Sequence, residues 1–197
     1  MTLTRRLGLG ALALGFAAPF AGNPYRVARG QLDLDATARA ILNGSDHISA
    51  LQLASWIKDR RVGLRVIDVR AQAAFEQDAI PTAENITVDR LPSARFAPNE
   101  TVVLYSEEGA HAGQAWVMLR ALGVGNAYFI AGGLADWRDE VMSPVLAADA
   151  SVEERQAFAA VAEISRYFGG VPRIGELGAS APQNEARHRE TLRRRGC

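Results

Sequence analysis

The six residues Ser106-Glu107-Glu108-Gly109-Ala110-His111 are the part of this sequence best placed to do chemistry, because they join a strand to a helix. Thr101 to Tyr105 ahead of them is a short apolar run of strand formers, the pattern of a strand buried on both faces. Ala112 to Leu122 behind them carries Ala115, Leu119 and Leu122 at helical spacing, and Gly123 stands where a helix stops. A tight loop of this kind aims several backbone N–H groups at one point, with the helix dipole behind them. It suits a small anion or a thiolate. The side chains on offer are a hydroxyl, two carboxylates and an imidazole. With Asp68, Ser106 and His111 are the right types for a hydrolytic triad. Nucleophile and base would then share one tight loop, with His111 directed away at the helix start, so the spacing argues against that reading. His47, His111 and His188 are scattered and Cys197 is the only cysteine, so no metal site, cofactor site or intrachain disulfide is expected.

The elements that must position this loop follow from alternating patterns. Strand-like segments at Leu64–Asp68, Glu84–Ile86, Thr101–Tyr105 and Ala127–Ile130 alternate with helical ones, which predicts an α/β fold with a mostly parallel sheet. In such sheets the functional crevice lies beyond the C-terminal strand ends, where Asp68, Arg70 and Ser106 all fall. Ser49 followed by Gln52 caps a helix running to Lys58. Upstream, Asp33 to Leu42 reads as a short helix with Leu34, Ala38, Ile41 and Leu42 inward, ended by Asn43-Gly44. Downstream, Ser151 with Glu154 opens a helix carrying Ala157, Val161, Ile164 and Phe168 on one stripe, stopped at Gly169-Gly170. Its stripe should pack against the parent domain. From Val171 to Gln183 the chain is rich in Gly, Pro and Ala and is expected to be flexible.

Four segments in this order resemble the rhodanese-like domain. Leu64-Arg65-Val66-Ile67-Asp68-Val69-Arg70 is similar to that family's strand ending in Asp-Val-Arg. Ala74-Phe75-Glu76 through Ala79-Ile80-Pro81-Thr82-Ala83-Glu84-Asn85-Ile86 resembles its Phe-Glu helix and Gly-His-Ile-Pro-Gly-Ala turn, with Asp78, Ala79 and Thr82 in place of Gly, His and the second Gly. Ser106–His111 matches the active-site loop. Tyr128 to Trp137 looks like the closing strand, Gly-Gly turn and Trp helix. The resemblance implies a single domain over about half the chain, with a mostly parallel central sheet flanked by helices; the C-terminal helix and the basic tail read from the residues are extra to it. In active members the loop begins with a cysteine that carries sulfur as a persulfide; here the corresponding residue is Ser106, which cannot form one. His111 stands where many members have Arg, and Glu107 and Glu108 should repel an anionic donor. Asp68 and Arg70, by the same resemblance, tie the loop and neighbouring turns together.

The ends of the chain carry separate signals. Met1–Arg6 is basic, Leu7–Ala21 is uncharged and apolar, and Ala17, Ala18, Ala21 and Gly22 are small. This is the anatomy of a signal peptide over residues 1–22, by the general or, from Thr4-Arg5-Arg6-Leu7, the twin-arginine route, giving a periplasmic or secreted protein. The alternative is an uncleaved inner-membrane anchor, weakened by four glycines and Pro19. Residues 23–46 then form a linker and short helix, 47–142 the domain, 143–170 the C-terminal helix, and 171–197 a basic tail ending Arg193-Arg194-Arg195-Gly196-Cys197. The whole chain has 22 basic and 22 acidic residues and no net charge, so a basic tail implies an acidic body and disfavours nucleic acid. The sequence therefore predicts a non-catalytic binding or scaffold module, with a protein partner or small anion as ligand. The alternative is a persulfide carrier using Cys197 as its catalytic thiol, and an exposed Cys197 could also link a disulfide dimer.

Overall fold

The computed structural model describes residues 33–175, so the expectations for the signal segment, the linker up to residue 32, the basic tail and Cys197 lie outside the described residues. Within them the chain runs α1 (Leu34–Leu42), β1 (His47–Ile48), α2 (Ala50–Lys58), β2 (Leu64–Asp68), α3 (Gln72–Gln77), β3 (Glu84–Asn85), β4 (Thr101–Tyr105), α4 (Ala110–Ala121) and β5 (Ala127–Ile130). There follow α5 (Gly133–Asp136), a π-helical turn (Trp137–Met142), β6 (Val145–Ala147), α6 (Val152–Tyr167) and β7 (Arg173–Gly175).

Five strands form one all-parallel sheet in the order β1-β5-β4-β2-β3. β4 is central, and every one of its residues is buried, as an apolar run without alternation requires. Two-residue β1, at the sheet edge, is a strand that the sequence pattern did not disclose. One side of the sheet packs Val66, Val103, Tyr105 and Ile130 against Leu53, Ala54 and Ile57 of α2 and against Leu134, Trp137 and Val141. The other side packs Ile67, Val102 and Leu104 against Ala112, Ala115, Trp116 and Leu119 of α4. Leu122, expected inward, is 41% exposed, because α4 has ended at Ala121 and the chain turns outward into Gly123.

The flanking helices form where the caps predict, but two present different faces. α1 turns Thr37 and Ala40 to the domain and leaves Leu34, Ile41 and Leu42 exposed, the reverse of the expected orientation. α6 begins with a complete capping box, Ser151 Oγ accepting from Glu154 N–H while the Glu154 carboxylate accepts from Ser151 N–H. It packs on α2 and the π-helical turn through Ala162, Ile164, Ser165 and Phe168, whereas Ala157, one turn too early, is exposed. Phe168 sets its ring edge-on to Trp137 at 5.1 Å, and Gly170 N–H donates to the Ser165 carbonyl at 2.8 Å. The segment expected to be flexible begins instead with β7, which pairs in parallel with β6 in a second, two-stranded sheet. Its N–H and carbonyl groups find partners there, which composition alone could not show.

Candidate functional site

The C-terminal ends of β2 and β4 lie side by side, with Asp68 in register with Tyr105. The residues that follow, Val69–Arg70 and Ser106–Gly109, are thereby brought together, and Val69 N–H donates to the Tyr105 carbonyl at 3.0 Å. Ser106 is buried, only 2% exposed, and its Oγ accepts from Ala112 N–H at 3.3 Å, closing the loop on itself. α4 starts at Ala110, so Ala110 and His111 belong to its first turn and only Ser106–Gly109 is loop. Gly109 supplies the left-handed turn, φ 83°, that bends the chain into the helix, and a side chain there would collide with the Ala131 carbonyl. His111 is exposed and makes no hydrogen bond to Ser106 or Asp68, so the three triad residue types do not assemble.

A second turn presses on the loop from the other side. Leu134 and Ala135 at the start of α5 donate to the carbonyls of Ser106 and Glu107 at 2.9 and 3.1 Å. Gly133, φ 64°, makes this possible, because a Cβ at that position would lie less than 3.0 Å from Ser106 O, Gly109 N and Glu107 O. The predicted Gly-Gly turn thus fixes two loop carbonyls.

Below the loop sits a buried ionic anchor. Asp68, fully buried, accepts from Arg70 N–H at 2.8 Å and from the Arg70 guanidinium at 3.0, 3.1 and 2.7 Å. Arg70 also donates to the Asp78 carbonyl and, at 2.8 Å, to the Glu107 carboxylate. Burial opposes its charge, but Asp68 and Glu107 outweigh that and hold the guanidinium above its ordinary pKa. Asn85 closes the set by donating to the carbonyls of Asp68 and Arg70 at 3.1 and 2.9 Å. The Tyr105 hydroxyl accepts from Ile80 N–H at 3.1 Å, and burial, with the Asp68 charge, pushes this phenol up.

Arg138, on the π-helical turn, is the site residue that sequence reasoning missed. It donates to Asp78 Oδ2 at 2.8 Å and to the other oxygen of Glu107. Glu107 is therefore clasped between two guanidinium groups. Arg138 first, and Arg70 with it, hold its carboxyl below the usual range against a penalty from burial. This corrects the expectation that Glu107 acts as a bare repelling charge at the mouth, since its charge is spent on the two arginines. Glu108 is exposed and keeps that role alone. The available signal was Glu107 itself, a carboxylate on a loop that Arg70 could serve only in part.

No group of His, Cys, Asp and Glu among the described residues is arranged to hold a metal ion. A surface cavity of about 430 Å³ lies elsewhere, lined by Ile57, Arg60, Pro81, Thr82, Tyr167 and Phe168, and shares no residue with the loop.

This arrangement has relatives. The family model for the rhodanese-like domain matches residues 49–140. A human single-domain sulfurtransferase is 28% identical over 47% of this chain and 94% of its own, with a TM-score of 0.42. A rhodanese-related protein from Thermoplasma volcanium is 24% identical over 46% of this chain and 88% of its own, TM-score 0.41. A rhodanese-like domain from Anabaena is 23% identical over 47% of this chain and 73% of its own, TM-score 0.43. No curated protein matches the chain. The parallel sheet, the loop after its central strand and the family match over the same span lead to one conclusion: residues 49–140 of this chain are a rhodanese-like domain.

Proposed function

We propose that this domain is a non-catalytic binding or scaffold module, exported to the periplasm or cell exterior, whose loop has no sulfur-carrying group. One observation carries the reading. The residue that opens the loop is Ser106, whose hydroxyl is buried and bonded to the helix it precedes. A hydroxyl in that place forms no persulfide, and its high pKa and lack of an assembled base leave it a poor nucleophile. Glu107 supports the same reading, because its carboxylate already occupies the guanidinium groups nearest the loop. What remains exposed at the loop includes Glu108 and His111, which would meet a protein partner or a small anion. Export rests on the N-terminal pattern.

The test is thiosulfate-to-cyanide sulfur transfer. Wild type and Cys197→Ala are both expected to show no turnover above background. Ser106→Cys is expected to gain only weak activity, about 1% of an ordinary enzyme rate or less, because Glu108 disfavours the thiolate and repels the donor while Glu107 holds the nearby guanidinium groups away from it. Enzyme-like rates in both wild type and Cys197→Ala would overturn the reading. Activity in wild type lost in Cys197→Ala would transfer the chemistry to the C-terminal thiol.

A further inference from the structure

Helix α1 is assembled with its small side chains inward and its large ones outward. Thr37 is 6% exposed and Ala40 packs against the core cluster that holds Trp116 and Leu119 of α4. The opposite side shows Leu34 at 69%, Ile41 at 52% and Leu42 at 83% exposed, with exposed Ala38 between them. Leu34, Ala38 and Leu42 are four residues apart, so they form one straight ridge along a nine-residue helix. Isolated exposed apolar residues are ordinary, but three aliphatic side chains aligned on one short helix, with the polar Thr37 buried instead, form a patch that water does not favour. The helix is otherwise well made. Asp33 caps its N-terminus, accepting from Ala36 N–H at 2.8 Å, so its orientation is not a product of fraying.

The ridge is symmetric about its midpoint. Leu-Ala-Leu reads the same in both directions from Ala38. Asp35 and Arg39 flank the ridge on one side, and neither forms an ion pair among the described residues. A two-fold axis through Ala38, perpendicular to the helix, would lay α1 antiparallel on a copy of itself. Leu34 would then meet Leu42 of the second copy, and the small Ala38 at the crossing would let the backbones approach closely. The same operation sets Asp35 and Arg39 of the second copy on one flank, about two residue rises (~3 Å) apart along the axis and so within reach of an ion pair, twice. An acidic helix start and a basic later turn also suit antiparallel dipoles.

We propose that α1 is a homodimerisation surface, occupied by α1 of a second copy of this chain through the Leu34–Ala38–Leu42 ridge. The self-complementary charges favour this occupant over a lipid surface, since a helix with Asp33 and Asp35 and the single cation Arg39 is repelled by anionic headgroups. One short helix pair covers less than a standard interface, so the dimer is weak, with a dissociation constant on the order of 10 to 100 μM.

The test uses the chain as purified from its host, with Cys197→Ser to remove its native thiol. Sedimentation velocity should show a concentration-dependent monomer–dimer equilibrium, which Leu42→Glu weakens at least about ten-fold. Asp35→Arg alone should weaken it, and Asp35→Arg combined with Arg39→Asp should restore it, a rescue that a merely structural effect would not give. Ala38→Cys should form a disulfide dimer rapidly with oxidised glutathione, whereas Val62→Cys, 94% exposed on a distant turn, should not. A wild type that stays monomeric at millimolar concentration, or Ala38→Cys that cross-links no faster than Val62→Cys, overturns the proposal. So does a monomer that binds phosphatidylcholine vesicles and loses this with Leu42→Glu, which would assign the ridge to a membrane.

Discussion

At the scale of single residues, two positions are held in states that their chemistry resists. Thr82 adopts φ 69°, a left-handed backbone that its branched Cβ disfavours, at the place where the resemblance has glycine. The turn it closes delivers Ile80 N–H to the Tyr105 hydroxyl and Glu84 to its pairing with Ile67. Thr82→Gly should therefore raise stability by about 0.5 to 1.5 kcal/mol, the relief of strain exceeding the extra entropy of glycine in the unfolded chain. Urea unfolding measures it, and a loss of stability would show that the Thr82 side chain holds the turn. Glu140 is the second. Burial, then the charges of Asp136 and Asp139, push its carboxyl up to about 7 from an ordinary 4.5, although the Leu51 N–H favours the charged form. The folded protein thus binds this proton more tightly than the unfolded chain does. The associated stability is fully present below about pH 4.5 and is lost as pH rises through about 7. Glu140→Gln, which keeps the acceptor without the charge, should stabilise by about 1 to 3 kcal/mol at pH 8 and by little at pH 4. Equal effects at both pH values would mean that the carboxyl titrates normally.

At the scale of elements, the loop holds its shape because a neighbouring turn grips it. α5 is only four residues long, yet its first two N–H groups past Gly133 fasten the carbonyls of Ser106 and Glu107. Gly133→Ala adds a Cβ into three loop backbone atoms at a positive φ, and neither the loop nor the turn has room to retreat. It should cost about 3 kcal/mol or more, since strain and overpacking act together. Thermal unfolding would register this as a fall in Tm; an unchanged Tm would mean that the two turns do not touch in solution. Element identities were legible beforehand because caps and periodicity are local: Ser49, Ser151 and Gly123 each mark a boundary that the structure keeps. Element faces were less legible. In α1 the Leu34/Ile41/Leu42 stripe is a valid amphipathic pattern, but periodicity identifies an apolar face without saying what covers it.

At the scale of the whole molecule, the proposed export yields a direct expectation. The chain isolated from its native host should begin between residues 18 and 23, as N-terminal sequencing would show; an intact Met1 on soluble cytosolic protein would remove the export reading. The body has its own organisation, with α6 packed on α2, the π-helical turn and β6, and β6 paired with β7. The sequence by itself determined the parallel α/β class, the strands β2 to β5 and the loop that opens on the Ser106 hydroxyl. These follow from hydrophobic period, turn chemistry and residue type, which act within a few residues of each other. Tertiary structure alone decided that Glu107 is clasped by Arg70 and Arg138, residues far from it in the chain, and so is not a free charge. It also decided that β1 and β7 are strands at all, since segments of two or three residues acquire that geometry only from the partner they pair with. The outward ridge of α1 belongs with these, because a helix seats the face that its neighbours have space to accept, and here that was the small one.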